Sequence, residues 1–331
     1  MIRDVAELTD MFCREAPRAL AAIGADAVIA DQMEAAGGLV AEHLGLPFAS
    51  IATALPINRE EGVPPPYVDW AYDPSERGHW WNRGGYRISD LLMRPVGHVI
   101  ERNAARFGLA PRRRAEDCLS PRVQLAQCVR GLDFPRRELP ESFHYLGPFR
   151  EVEDGAFHLA GEDGRPLVFC SFGTLQGSRA ALFRSIASAC AGLEVRLLIA
   201  HGGRLDPGFA RTLPGDPIVT DYVPQRAVLA NASLAITHAG FNTVLDALSF
   251  GVPILALPLA FEQPATGARL VRAGVGRVVR PIAATPRRLR KEIRALLNEP
   301  GYRSTAAGLR SEIASAGGVR RAADILEAQL S

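Results

Sequence analysis

The chain has 331 residues, 47% of them apolar, and a formal net charge of +2. That length suits two domains of about 150 residues each, with enough apolar content to give both a core. So balanced a charge excludes a nucleic-acid partner or an acidic surface recruited by net charge alone.

The five cysteines (Cys13, Cys118, Cys128, Cys170, Cys190) are odd in number, widely spread and free of C-x-x-C spacing, which points to reduced thiols. No His pair stands at metal-ligand spacing, so no metal or other cofactor is expected. The opening MIRDVAELTDMF carries charges where a signal peptide needs an apolar core. The longest apolar run, 252–261, is far short of the ~20 residues of a membrane helix. The expected location is the cytoplasm, with peripheral membrane contact left open.

Residues 4–24 place Val5, Leu8, Met11 and Phe12 at helical spacing and read as an amphipathic helix. ADAVIAD (25–31) then reads as a short buried strand ending on Asp31. A helix follows from about Glu34 to His43, and LPFASIATA is a second strand. Alternation of helix and strand predicts a parallel sheet with crossover helices. Residues 55–90 are Pro-rich and aromatic, hold all three Trp (Trp70, Trp80, Trp81) and read as a long loop of a kind that often carries function. Helical periodicity returns over 87–108.

Gly, Pro and acidic residues mark 148–166 as a linker between a first domain, 1–147, and a second, 167–316. The second domain offers strands in PLVFCSF, VRLLIA, PIVTDYV, LAITH and PILALPL, with helices between and after them, the first from about Ala180 to Leu193. An Arg-rich helical segment, 317–331, closes the chain.

The chemistry concentrates in ITHAGFNTVLDALSFGVPILALPLAFEQ, 236–263. A buried strand runs into a turn, and a helix begins near Asn242 and closes on Gly251. Gly240, Asn242 and Thr243 thus fall at a helix N-terminus beyond the C-terminal end of a parallel strand, where α/β proteins hold anions. His238 can donate to a phosphate oxygen, and Asp246, one turn in, suits the paired hydroxyls of a ribose. Two plainer readings compete: Thr243-x-x-Asp246 approximates a capping box, and His238 could be a satisfied core histidine. Ser171, Gly173 and Thr174 end the strand VFCSFGT in another turn able to meet a diphosphate. Tyr222 in DYVPQ offers a flat surface for a nucleobase.

YVPQRAVL followed by THAGFNTVLDAL, GVPILALP and Glu262-Gln263 resembles the C-terminal signature of the UDP-dependent glycosyltransferases of the GT-B fold. DQMEAAGGLVAEHLGLPFASIATALPINRE, SFGTLQGSRAALFRSIA and NTVLDALSFGVPILALPLAFEQPA are similar to the zeaxanthin-glucosylating branch of that family, and the similarity runs through nearly the whole chain. The resemblance implies two Rossmann-like domains facing across a cleft, with the final helix returning to the first. It implies a UDP-glucose co-substrate and a hydrophobic, hydroxylated acceptor of the carotenoid kind. Tyr222 would stack on uracil, with Gln225 beside it in the same signature. Ser171, Thr174, His238, Asn242 and Thr243 would hold the diphosphate. Asp246 would take the ribose, and Glu262 and Gln263 the sugar hydroxyls. Asp31 would match the acid that orients a catalytic His, and Trp70, Trp80 and Trp81 would line an acceptor path.

In the family that His follows the first strand in a G-H-x-x-P context. Seven His occur here (43, 79, 98, 144, 158, 201, 238), and none stands in that context. The resemblance also begins in mid-domain, so the N-terminal domain is expected to lack its opening. Donor binding is therefore expected and acceptor chemistry is doubtful. A UDP-sugar-binding remnant or partner subunit, or a GT-B enzyme acting on UDP-N-acetylglucosamine, are the alternatives.

Overall fold

The computed structural model describes residues 2–150, 163–173 and 177–330. Thr174 and most of the expected linker lie outside the described residues. Two compact units emerge, one of Met1–Pro66, Tyr72–Phe149 and Ala316–Ser331, the other of Tyr67–Ala71 and Arg150–Ser315.

The first unit runs α1 (Ile2–Ile23), β1 (Val28–Asp31), α2 (Ala35–His43), β2 (Phe48–Ala52), α3 (Glu76–Leu92), α4 (Arg94–Arg106), β3 (Val123–Ala126) and β4 (Phe143–Tyr145). Its four strands pair in parallel in the order β1-β2-β3-β4. Ala6 and Cys13 of α1 pack with Leu39 of α2 and with Val96 and Ile100 of α4. The final helix, Gly318–Leu330, buries Ala322 and Ile325 against Ala49, Val123 and Leu125.

Residues 76–86 correct the sequence reading, because α3 already begins at Glu76, inside the expected loop, ahead of the helical periodicity expected from 87. Ser75 caps the helix by accepting from the Gly78 N–H at 3.3 Å. The side that α3 buries is Gly78, Asn82, Tyr86 and Ser89. Asn82 donates to the Glu61 carbonyl at 3.0 Å, and the Tyr86 hydroxyl donates to the Val63 carbonyl at 3.1 Å. A helix held by polar groups shows no inward apolar stripe, so apolar periodicity does not reveal it. Segment 67–71, expected within the first domain, packs with the second unit, where Asp69 pairs with Arg280 at 2.6 Å.

The second unit carries β5 (Leu167–Ser171), α5 (Ala180–Cys190), β6 (Arg196–Ala200), α6 (Pro207–Ala210), β7 (Ile218–Thr220), α7 (Gln225–Leu229), β8 (Ala232–Thr237), α8 (Phe241–Ser249), β9 (Ile254–Ala256), α9 (Gln263–Arg272), β10 (Gly276–Val278), α10 (Pro286–Asn298) and α11 (Pro300–Ser315). The sheet is fully parallel in the order β10-β9-β8-β5-β6-β7. The chain starts at β5, builds outward to β7, then crosses back to lay β8 on the other side of β5. Such a reversal opens a crevice beyond the carboxyl ends of the two central strands. Both strands are apolar runs and both are buried, with Val168, Cys170, Leu234 and Ile236 in one core with Phe172, Phe183, Ile186, Leu289 and Ile293.

Candidate functional site

In register, Ser171 of β5 lies beside Thr237 of β8, and Thr237 beside Ala256 of β9. The turns leaving those three ends therefore converge. Ser171 accepts the Gly173 N–H at 3.3 Å, and Gly173 takes φ +67°, a left-handed conformation that suits glycine. A Cβ on Gly173 would sit 3.4 Å from the His238 ring, and one on Gly240 only 2.4 Å from His238 Nε2. The imidazole thus lies between the two glycine turns at the switch point. Gly240 is required by the ring beside it and not by its own backbone, whose φ is −59°.

Burial alone pushes the His238 pKa down to about 4, so the ring is neutral at pH 7. Its Nδ1 lies 3.3 Å from Thr237 Oγ1; when that hydroxyl donates, the ring proton sits on Nε2. Ala239, next along, is wholly buried at φ +66°, and Phe261 beyond β9 is at φ +55°. Non-glycine residues held in that region mark strain of the kind that clusters at functional sites.

Gly240 is the N-cap of α8, and no side chain caps the helix there. The capping-box reading is therefore corrected: the Thr243 hydroxyl donates to Gln225 Oε1 at 3.4 Å instead. Backbone N–H groups of the first turn of α8 keep no intrahelical acceptor, and with the helix dipole they make an anion seat beside His238.

Asp246 differs most from its expected role. It is 1% exposed, and both carboxylate oxygens are occupied: Oδ2 accepts from Arg150 and Gln225 at 2.8 Å each, and Oδ1 from Arg226 at 2.9 Å. Here the carboxylate anchors three donors instead of offering an open oxygen to a diol. Gln225 is thereby tied to both Thr243 and Asp246. Tyr222 is 66% exposed at the end of β7, its hydroxyl donating to the Gly202 carbonyl at 3.1 Å.

Glu262 is the N-cap of α9, and burial raises its carboxyl pKa. Gln263 is buried, with Oε1 accepting the Leu259 and Ala260 N–H groups at 2.8 Å each, which commits that end of the amide to shaping the turn after β9. In the first unit, Asp31 accepts from the Thr53 hydroxyl at 2.5 Å and the Met33 N–H at 2.8 Å. Trp70 sits half-buried in the segment counted with the second unit, and Trp80 and Trp81 are exposed on α3. Among the described residues, no group of three or more His, Cys, Asp or Glu converges as a metal site.

Gly240→Ala is expected to push the imidazole aside and weaken anion binding about as much as His238→Ala does. If both act through the ring, the double variant binds no worse than either single one in titration calorimetry. Additive losses would show that Gly240 acts on the ligand directly.

The fold defines a doubly wound α/β class whose strand order reverses at β5 and β8. Residues 190–328 match the family described as erythromycin biosynthesis protein CIII-like, C-terminal domain. The chain is 45% identical to a zeaxanthin glucosyltransferase of Pseudescherichia vulneris, over 99% of this chain and 79% of that protein. It is 42% identical to the zeaxanthin glucosyltransferase of Pantoea ananas, over 99% of this chain and 77% of that one. The crystal structure of CalG4, the calicheamicin glycosyltransferase, shares the fold at a TM-score of 0.78 and 24% identity, over 98% of this chain and 82% of that one. The chain belongs to the GT-B glycosyltransferases, in the family of those two relatives. It is a transferase of glycosyl groups.

Proposed function

We propose that the chain binds UDP-glucose at the β5–β8 crevice and that its chemistry is inverting transfer of glucose to a hydroxyl of a carotenoid such as zeaxanthin. The observation that carries the donor half is His238, held between Gly173 and Gly240 beside the uncapped start of α8. An imidazole N–H and the positive helix end side by side support this reading, because a leaving diphosphate is stabilised by such groups. With that charge supplied by the protein, the reading calls for no metal ion. Tyr222 supplies an open ring face for uracil, and Glu262 and Gln263 begin α9 at the neighbouring strand end, where the hexose would lie. The acceptor half rests on the two relatives, both named for zeaxanthin. The cytoplasm is the compartment this reading assigns, in keeping with the charged opening MIRDVAELTDMF.

In an inverting displacement the acceptor hydroxyl attacks C1 from the face opposite UDP while a base takes its proton. No imidazole is hydrogen-bonded to Asp31 among the described residues, since its recorded partners are Thr53 and Met33. We therefore assign this chain strong donor binding and slow transfer.

Titration calorimetry with UDP tests the donor site. His238→Ala is expected to weaken UDP by roughly 10–100-fold, the worth of a hydrogen bond to a charged group. The anion should also raise the depressed His238 pKa. Below that raised value the complex holds a proton that the free protein lacks, so binding takes up protons and tightens as pH falls from 7 toward 5. Proton uptake at pH 6, read from two buffers of different ionisation enthalpy, should be smaller in His238→Ala. Equal affinity and equal uptake in both proteins would remove His238 from the site.

A further inference from the structure

α3 wears its apolar residues on the outside. Trp80, Trp81, Ile88, Leu91 and Leu92 are 61, 50, 63, 63 and 59% exposed, whereas its inward side is Gly78, Asn82, Tyr86 and Ser89. At 3.6 residues per turn those five exposed side chains fall within about 120° of arc, along about 18 Å of helix. A contiguous face of this kind marks an interaction surface. Exposed arginines fringe it: Arg77, Arg83, Arg87 and Arg94. Arg83 is paired with Glu61 and Arg77 lies near Asp73, whereas Arg87 and Arg94 form no ion pair among the described residues. Of the acidic residues on the helix, Asp90 is held by Arg59 and Glu76 lies in the first turn.

We propose that α3 docks this protein on an anionic lipid surface, lying in the headgroup plane with Trp80, Trp81, Ile88, Leu91 and Leu92 at the acyl boundary. Arg87 and Arg94 would then stand among the lipid phosphates, their stems covering apolar surface and their charges in the headgroups. No helix of the described residues is long and apolar enough to cross a membrane, so the helix lies on the surface. A second copy fits the face less well. A two-fold contact through α3 would gather Arg87 and Arg94 of both copies along one seam. The inference stands on the first unit alone and is independent of the donor site.

The full chain is sedimented with vesicles of phosphatidylcholine, with and without phosphatidylglycerol. Binding is expected on the anionic vesicles, weakening as salt rises, with Trp emission quenched by brominated acyl chains. The double variant Ile88→Ser/Leu91→Ser should cut the partition coefficient on the order of tenfold or more, because both side chains leave water on docking. Arg87→Glu/Arg94→Glu should erase the preference for anionic lipid. Both pairs are exposed, and unchanged thermal midpoints verify that the variants fold. UDP calorimetry on the same samples reports the donor unit separately, so either reading can fail alone. The proposal is overturned by absent binding to anionic vesicles, or by partition unchanged in Ile88→Ser/Leu91→Ser. It is equally overturned by a wild-type dimer that this variant turns monomeric without any vesicle binding.

Discussion

Glucosylation of zeaxanthin by this chain is expected to run about 10²–10⁴-fold slower than by the Pseudescherichia vulneris relative, with UDP binding intact. That factor is the usual worth of a positioned general base. Of the seven His, six are described. His43 stacks on Phe107 with ring centroids 4.2 Å apart, His201 pairs with Asp221 at 3.1 Å, and His238 lies between Gly173 and Gly240. His79 and His98 are on α3 and α4, and His144 is on β4. None of them is hydrogen-bonded to Asp31, whose two oxygens serve Thr53 and Met33. The pH profile separates this account from a poorly bound acceptor. A His base gives a rate that levels off above a pKa of about 6.5. Without one, the rate should keep climbing through the alkaline range, as the fraction of ionised acceptor hydroxyl grows. Asp31→Asn should change it less than tenfold, because among the described residues no imidazole is hydrogen-bonded to the carboxylate. A plateau near neutral pH at a rate matching the relative's would sink the idea.

The parts of the fold legible in the sequence are those where burial and local pattern agree. β5 and β8 carry short buried apolar runs that end in turn residues, and α8 follows from Val244, Leu245 and Leu248 with Gly251 at φ +68° behind it. β3, β4 and β10 have only three or four residues each and carry Gln124, His144 and Arg277 within them, so no apolar run marks them as one marks the equally short β9. α3 was hidden for a different reason: its inward face is polar and its apolar face meets solvent, the reverse of the usual signal. Around His238 the residue types were readable, but not the strained Ala239 or the contact that makes Gly240 necessary. Those features belong to the backbone path of one short turn, and only the approach of Gly173 to the same ring brings together turns 65 residues apart, at the carboxyl ends of the two central strands.

Asp246→Ala is expected to destabilise the second unit by ~2–3 kcal/mol, the cost of stranding two partly buried arginines without their counter-ion, reduced by the solvent they still meet. Arg226 would lose its carboxylate while its guanidinium stays 5.1 Å from the Phe250 ring, and Arg150 would lose its partner 96 positions along the chain. Gln225 would lose its acceptor too, freeing the amide that Thr243 reaches. Urea unfolding should show this as a lower midpoint at unchanged slope. A shift below about 1 kcal/mol would mean that solvent or a neighbour satisfies both arginines. The ribose role read from the sequence then becomes conditional. For a diol to reach Asp246, one of the donors on Oδ2 must leave, and Arg150, at 29% side-chain exposure, is more accessible than the carboxylate it holds. Arg150→Ala should therefore strengthen UDP relative to 2′-deoxy-UDP, since it opens an acceptor for the 2′-hydroxyl. An unchanged ratio would leave Asp246 as an anchor alone, with the nucleoside held by other groups.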